Sequence, residues 1–130
     1  VLPSLQSPVV APGAPAAAPE SEALLIVRTV RSGQVVRHSG HITLIGDVNP
    51  GGELIAGGSI VVWGRVRGFV HAGALGNGEA LVCAIELQPT QLRIADQIAT
   101  APKSGGPRSP EVARIEAGQI VVEPWEAFKR

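Results

Sequence analysis

Residues 40–81 read, in blocks of six, GHITLI GDVNPG GELIAG GSIVVW GRVRGF VHAGAL GNGEAL. Gly40, Gly46, Gly52, Gly58, Gly64 and Gly76 open their blocks, and Val70 is the one exception. Two residues on, the first six blocks carry an apolar residue: Ile42, Val48, Leu54, Ile60, Val66 and Ala72. Short apolar strands separated by regularly placed glycines predict a solenoid. Glycine serves at the corners because it tolerates unusual φ and lets backbones approach closely.

Three such blocks make a three-sided coil of 18 residues. Position i then stacks on i+18, one strand spacing of about 4.8 Å away. Gly40, Ile42, Leu44, Gly46 and Val48 meet Gly58, Ile60, Val62, Gly64 and Val66, so both coils present apolar residues inward. Outward, the register sets Asp47 under Arg65 and Glu53 under His71, both charge-compatible pairs. On another side Thr43 and Ile45 stack under Val61 and Trp63, which makes that side apolar outside as well as inside. A strand buried on both faces has such a continuous run. A homodimer interface through Ile45, Val61 and Trp63 is the preferred reading, and cover by a local segment is the alternative.

Outward along the chain, residues 24–30 (LLIVRTV) form a first strand and Gly33 with Val35 gives an upstream echo, one residue out of frame. Residues 79–87 form another apolar strand, and 89–98 form a strand or a turn-rich segment. Residues 102–110 (PKSGGPRSP) are a loop. In 115–123, Gly118, Ile120 and Val122 repeat the pattern of Gly58, Ile60 and Val62, which predicts one more rung. The open ends of the coil are expected to be covered by 24–30 and by the segment before Arg130. Residues 1–22 carry Pro3, Pro8, Pro12, Pro15 and Pro19 among Ala, Ser and Val, the composition of an extended linker. The Pro12–Pro15 spacing also fits a peptide-recognition motif, but a spacer is the simpler reading. Residues 23–130 are then one domain. A linker at the front of a chain without Met predicts a further domain upstream.

The 130 residues include 16 Gly, two Trp, two Phe, and neither Tyr nor Met. The core must therefore be built from Val, Ile, Leu and Ala. Eleven basic residues balance eleven acidic ones, which argues against a generic nucleic-acid binder or a polybasic membrane surface. No apolar run is long enough to span a bilayer. Cys83 is alone, so no intrachain disulfide forms, and it reads as a small buried hydrophobe. These features favour a cytoplasmic location.

Catalytic signals are absent. His38, His41 and His71 lack the convergent partners a metal site needs. No phosphate-binding glycine motif occurs, and no nucleophile setting surrounds a serine. No metal and no cofactor are expected. Residues 28–75 hold five arginines (28, 31, 37, 65, 67) against Asp47 and Glu53. That local excess fits either the binding of acidic protein segments or plain solubility of exposed strands.

The string Arg31-Ser32-Gly33-Gln34, the block IGDVNPGGELIAGGSIVVWGRVRGFVHAGA (45–74) and the closing QIVVEPW (119–125) resemble the C-terminal domain of the bacterial septum-site-determining MinC family. The resemblance spans roughly residues 27–125. It implies an all-β fold, a short right-handed β-helix of triangular section that dimerises through one face; handedness is not legible in the repeat itself. It implies binding to the membrane-associated ATPase MinD, with Arg31, Ser32, Gly33 and Gln34 in the matching motif. It implies antagonism of FtsZ assembly, with Arg67 matching an arginine that contacts the acidic FtsZ tail. Membrane contact would then be indirect, through MinD, at the inner face. The competing reading is a left-handed hexapeptide-repeat acyltransferase with His71 as its base. That reading predicts a trimer, and the adaptor reading a dimer.

Overall fold

A computed structural model describes residues 22–100 and 109–128. The proposed linker up to residue 21 and most of the 102–110 loop lie outside the described residues. The strands are β1 (Ala23–Val27), β2 (Val35–His38), β3 (His41–Ile45), β4 (Glu53–Ala56), β5 (Ile60–Val66), β6 (Phe69–Ala72), β7 (Val82–Leu87), β8 (Gln91–Ile94), β9 (Gln97–Thr100), β10 (Glu111–Glu116) and β11 (Gln119–Pro124). One helical turn, α1 (Trp125–Phe128), follows.

The odd strands β1, β3, β5 and β7 stack in parallel, and β10 and β11 complete a six-stranded sheet. The even strands β2, β4, β6 and β8 stack likewise and end on β9 in a five-stranded sheet. The third side is short: Val30, Val48 and Val66 make single parallel bridges. The chain is therefore a triangular β-solenoid of about four turns. Its period of 18 is direct in the pairs Ala23 with His41, Val35 with Glu53, and Ile42 with Ile60.

Alternation sorts the side chains. Ile42, Leu44, Leu54, Ile60, Val62, Leu92 and Ile94 point inward and are at most 1% exposed. Burying each such aliphatic chain contributes roughly 1.5–3 kcal/mol. A narrow triangular core has little room for rings, which accounts for the scarcity of aromatics.

Several expectations need correction. The 18-residue period fails after Val66. The corner of residues 49–52 becomes a two-residue corner, Arg67 and Gly68, so Glu53 pairs with Phe69 and Ile55 with His71. The expected Glu53–His71 pair does not form. Asp47 does stand beside Arg65, but its carboxylate accepts the Arg65 backbone N–H at 2.9 Å. Gly33 and Val35 do stand one residue out of frame: Gly33 lies over Gly51 rather than Gly52, its N–H donating to the Gly51 carbonyl at 2.9 Å, and the inward residue of this rung is Val36, over Leu54.

Residues 115–123 are not another rung. β10 pairs antiparallel with both β7 and β11, and the Ala117-Gly118 pair turns the hairpin. Residues 89–98 supply β8 and the start of β9, likewise antiparallel. Two hairpins thus end the parallel stack. At the other end β1 is itself the first rung rather than a cover, and its outer edge pairs with no strand among the described residues. Cys83 is half-buried and faces outward in the column of Val61.

Candidate partner-docking site

The first candidate site is a turn. Gln34 N–H donates to the Arg31 carbonyl at 2.9 Å, which closes residues 31–34 into a β-turn. Gly33 has φ +84°, a conformation that favours glycine at the third turn position. The Gln34 amide oxygen folds back and accepts from Arg31 N–H at 2.9 Å and from Arg28 Nη1 at 3.2 Å. Gln34 is therefore an internal tie. All four residues of the turn are exposed, with the Gln34 amide oxygen spent on the tie and the Arg31 and Ser32 side chains left for contact.

A second turn lies one coil below. Residues 49–52 read Asn-Pro-Gly-Gly, Gly52 N–H donates to Asn49 O at 2.8 Å, and Gly51 has φ +88°. A Cβ on Gly51 would run into the Ser32 hydroxyl. Glycine there lets the two turns stack.

Arg67 occupies the short corner of the next coil. Its Nη2 reaches Asn49 Oδ1 at 3.4 Å, while its Nε is buried with no hydrogen-bond partner. Thr29, Arg31, Ser32, Asp47, Asn49, Pro50 and Arg67 line one open groove of about 690 Å³. The turn and Arg67, which the family resemblance assigns to different partners, thus meet on one polar side. The signal was available: 31, 49 and 67 are successive steps of 18. Two guanidinium groups face one carboxylate there, Asp47, whose Oδ1 accepts the Arg65 backbone N–H, and the balance of charge suits an incoming carboxylate, which arginine binds in a bidentate fork.

The apolar side is the outward face of the six-stranded sheet. Ile45, Val61 and Trp63 are 42%, 39% and 66% exposed, and they lie together as the register predicts. Leu25 and Val27, at 62% and 70%, extend the patch by one rung. The sequence reading omitted them, although they sit 18 residues before Thr43 and Ile45. Beside Trp63 lies a groove of about 450 Å³, walled by Val61, Cys83, Ile85, Val112 and Trp125. Burial pushes the Cys83 thiol pKa up.

His71 lies on the outward face of the five-stranded sheet, between Ile55 and Arg93. Its Nε2 is 3.0 Å from the Ala95 carbonyl, so that nitrogen donates. His41 is also committed: its Nδ1 accepts the Ser59 N–H at 2.8 Å. Among the described residues no three His, Cys, Asp or Glu side chains group to hold a metal.

Residues 24–125 match the model of the septum formation inhibitor MinC, C-terminal domain. The chain belongs to the MinC family. A probable septum site-determining protein MinC of Heliobacterium modesticaldum is 53% identical over 108 residues, covering 82% of this chain and 37% of that protein. Its counterpart in Clostridium acetobutylicum is 47% identical over 111 residues, 85% of this chain and 53% of the relative. The chain therefore spans between about a third and a half of these MinC proteins. Among solved structures, a chain of the MinC:MinD cell division protein complex of Aquifex aeolicus superposes with a TM-score of 0.76 at 42% identity. That match covers 82% of this chain and 88% of the solved one. Among the described residues no helix is long and apolar enough to cross a membrane.

Proposed function

We propose that this MinC-family domain is an adaptor in division-site selection. It pairs with a second copy through the outward face that carries Ile45, Val61 and Trp63. It docks the ATPase MinD with residues Arg31, Ser32, Gly33 and Gln34, and it engages the acidic FtsZ tail through Arg67. MinD would bring it to the inner membrane face, while the domain itself stays cytoplasmic. It acts by binding and not as an enzyme.

The observation that carries the reading is the stacked pair of turns. It presents Arg31 and Ser32 on rigid β-structure, with Gln34 spent internally and Arg67 in the same groove. A fixed turn costs little ordering entropy on binding. That the solved Aquifex relative is part of a MinC:MinD complex supports MinD as the partner.

The test is a MinD pull-down with Arg31→Ala and Ser32→Ala. Both variants should lose capture while keeping the wild-type circular dichroism spectrum. Undiminished capture by both would remove the assigned site. The acyltransferase reading predicts a trimer by light scattering; a dimer disposes of it.

A further inference from the structure

The strand pairing of β5 with β7 contains a bulge. Val62 faces Ala84 and Arg65 faces Glu86, so Trp63 and Gly64 together stand against Ile85 alone. A bulge bends its strand and re-aims the side chain it carries. Trp63 is 66% exposed, against 42% for Ile45 one rung above. Its indole is the bulkiest side chain of the patch and is as exposed as Leu25 and Val27, at 62% and 70%, on the first rung. One side of the indole forms a wall of the groove of about 450 Å³ on the same face, and Val61, Cys83, Ile85, Val112 and Trp125 line more of that hollow. Knob and hole are neighbours.

We infer that Trp63 is a knob that seats in this groove on a second copy of the chain, and that the partner's Trp63 returns the contact. This rests on the dimer reading above. Two observations favour a second copy over an unrelated occupant. A two-fold interface uses the same patch on both subunits, so the patch must complement itself; a bulky exposed ring bordering a hollow does so. The outward residues Leu25, Val27, Thr43, Ile45, Val61, Trp63, Cys83 and Ile85 also carry no formal charge. The charged Arg114, Glu116 and Glu123 of the same sheet lie on β10 and β11, where they pair with one another, so this stretch offers a charged partner no counter-charge of its own. Buried aromatic anchors in pockets are the usual centres of binding energy.

The geometry supplies its own test in two variants. Trp63→Ala removes the knob and keeps most of the hole. Cys83→Trp fills the hole and keeps the knob. Sedimentation across a concentration series reads the dissociation constant of each, with circular dichroism as the check on folding. Each variant alone should dissociate about thirtyfold more readily than the wild type. An equimolar mixture should recover about half of the lost binding free energy, a dissociation constant about five- to sixfold above wild type, because one of the two contacts is restored. In the mixed dimer the remaining knob meets the remaining hole, and the filled hole faces no knob. Should Cys83→Trp fail to fold, Cys83→Phe takes its place.

If either variant alone pairs as tightly as the wild type, or if mixing restores nothing, the knob-in-hole contact is wrong while the dimer stands. If the wild-type chain stays monomeric throughout the series, the dimer reading itself falls, and the groove belongs to another ligand.

Discussion

Replacing three glycines by alanine, one at a time, separates the physical roles glycine plays in this coil. At Gly64 a Cβ would collide with the Gly46 carbonyl oxygen and come within 2.7 Å of Asp47 Oδ1. Neither neighbour can yield freely. Gly46 N–H is bonded to Trp63 O at 3.2 Å, and Asp47 Oδ1 accepts Arg65 N–H at 2.9 Å. The two coils must part locally, and overpacking of this kind costs about 3 kcal/mol. At Gly33 nothing lies within 4 Å of a new Cβ, but φ is +84°. Left-handed backbone costs an alanine about 1–2 kcal/mol, partly offset by about 0.5 kcal/mol from a stiffer unfolded chain. At Gly78 there is open space and no positive φ. That variant should gain about 0.5 kcal/mol. Urea titration followed by circular dichroism ranks them. With a slope of about 1.5 kcal/mol per M, Gly64→Ala should lower the midpoint by about 2 M, Gly33→Ala by under about 1 M, and Gly78→Ala not at all. A Gly64→Ala midpoint within about 0.5 M of wild type would refute the claim that backbone contact between coils fixes glycine at the corners.

Other outcomes follow from single sites. Ala95 sits at φ 53° in the β8–β9 turn, so Ala95→Gly should raise unfolding free energy by about 1 kcal/mol in the same titration. Arg67→Lys keeps the charge but loses the planar fork; it should leave the melting curve in place and weaken capture of an acidic FtsZ-tail peptide several-fold by calorimetry. Burial raises the Cys83 pKa, so less thiolate is present at pH 8 than for a free thiol and maleimide labelling should be slower than for free cysteine. Raising protein concentration through the dimer range should slow it further, and rates independent of concentration would count against burial of that face.

The repeat made the coil legible as far as Val66, because inward aliphatics and corner glycines both keep the step of 18. What followed was hidden for a physical reason. Gly118 is needed for its φ of +80° in a two-residue hairpin turn with open space around it, whereas Gly58 has no positive φ and is crowded by the His41 ring; one residue type answers both demands, so the same letters served opposite strand directions. The deletion at Arg67-Gly68 was hidden because Gly64 still holds its place in the repeat while the corner three residues later shortens. In the site, the position of Arg31 and Ser32 was legible only through family resemblance. The role of Gln34 as a tie emerged from its two accepted hydrogen bonds. The bulge at Trp63 depends on how β7 pairs with β5, which no local pattern in β5 reveals.

Each coil contributes one rung to all three sides at once. Duplicating or deleting an 18-residue unit would therefore lengthen or shorten the apolar face and the polar groove by the same step of about 4.8 Å. The two surfaces are geared together: neither can be resized alone, and any change in length is quantised. Variation between related domains of this build should accordingly concentrate in outward side chains and in corner loops such as residues 73–81, where the chain can change without moving a rung.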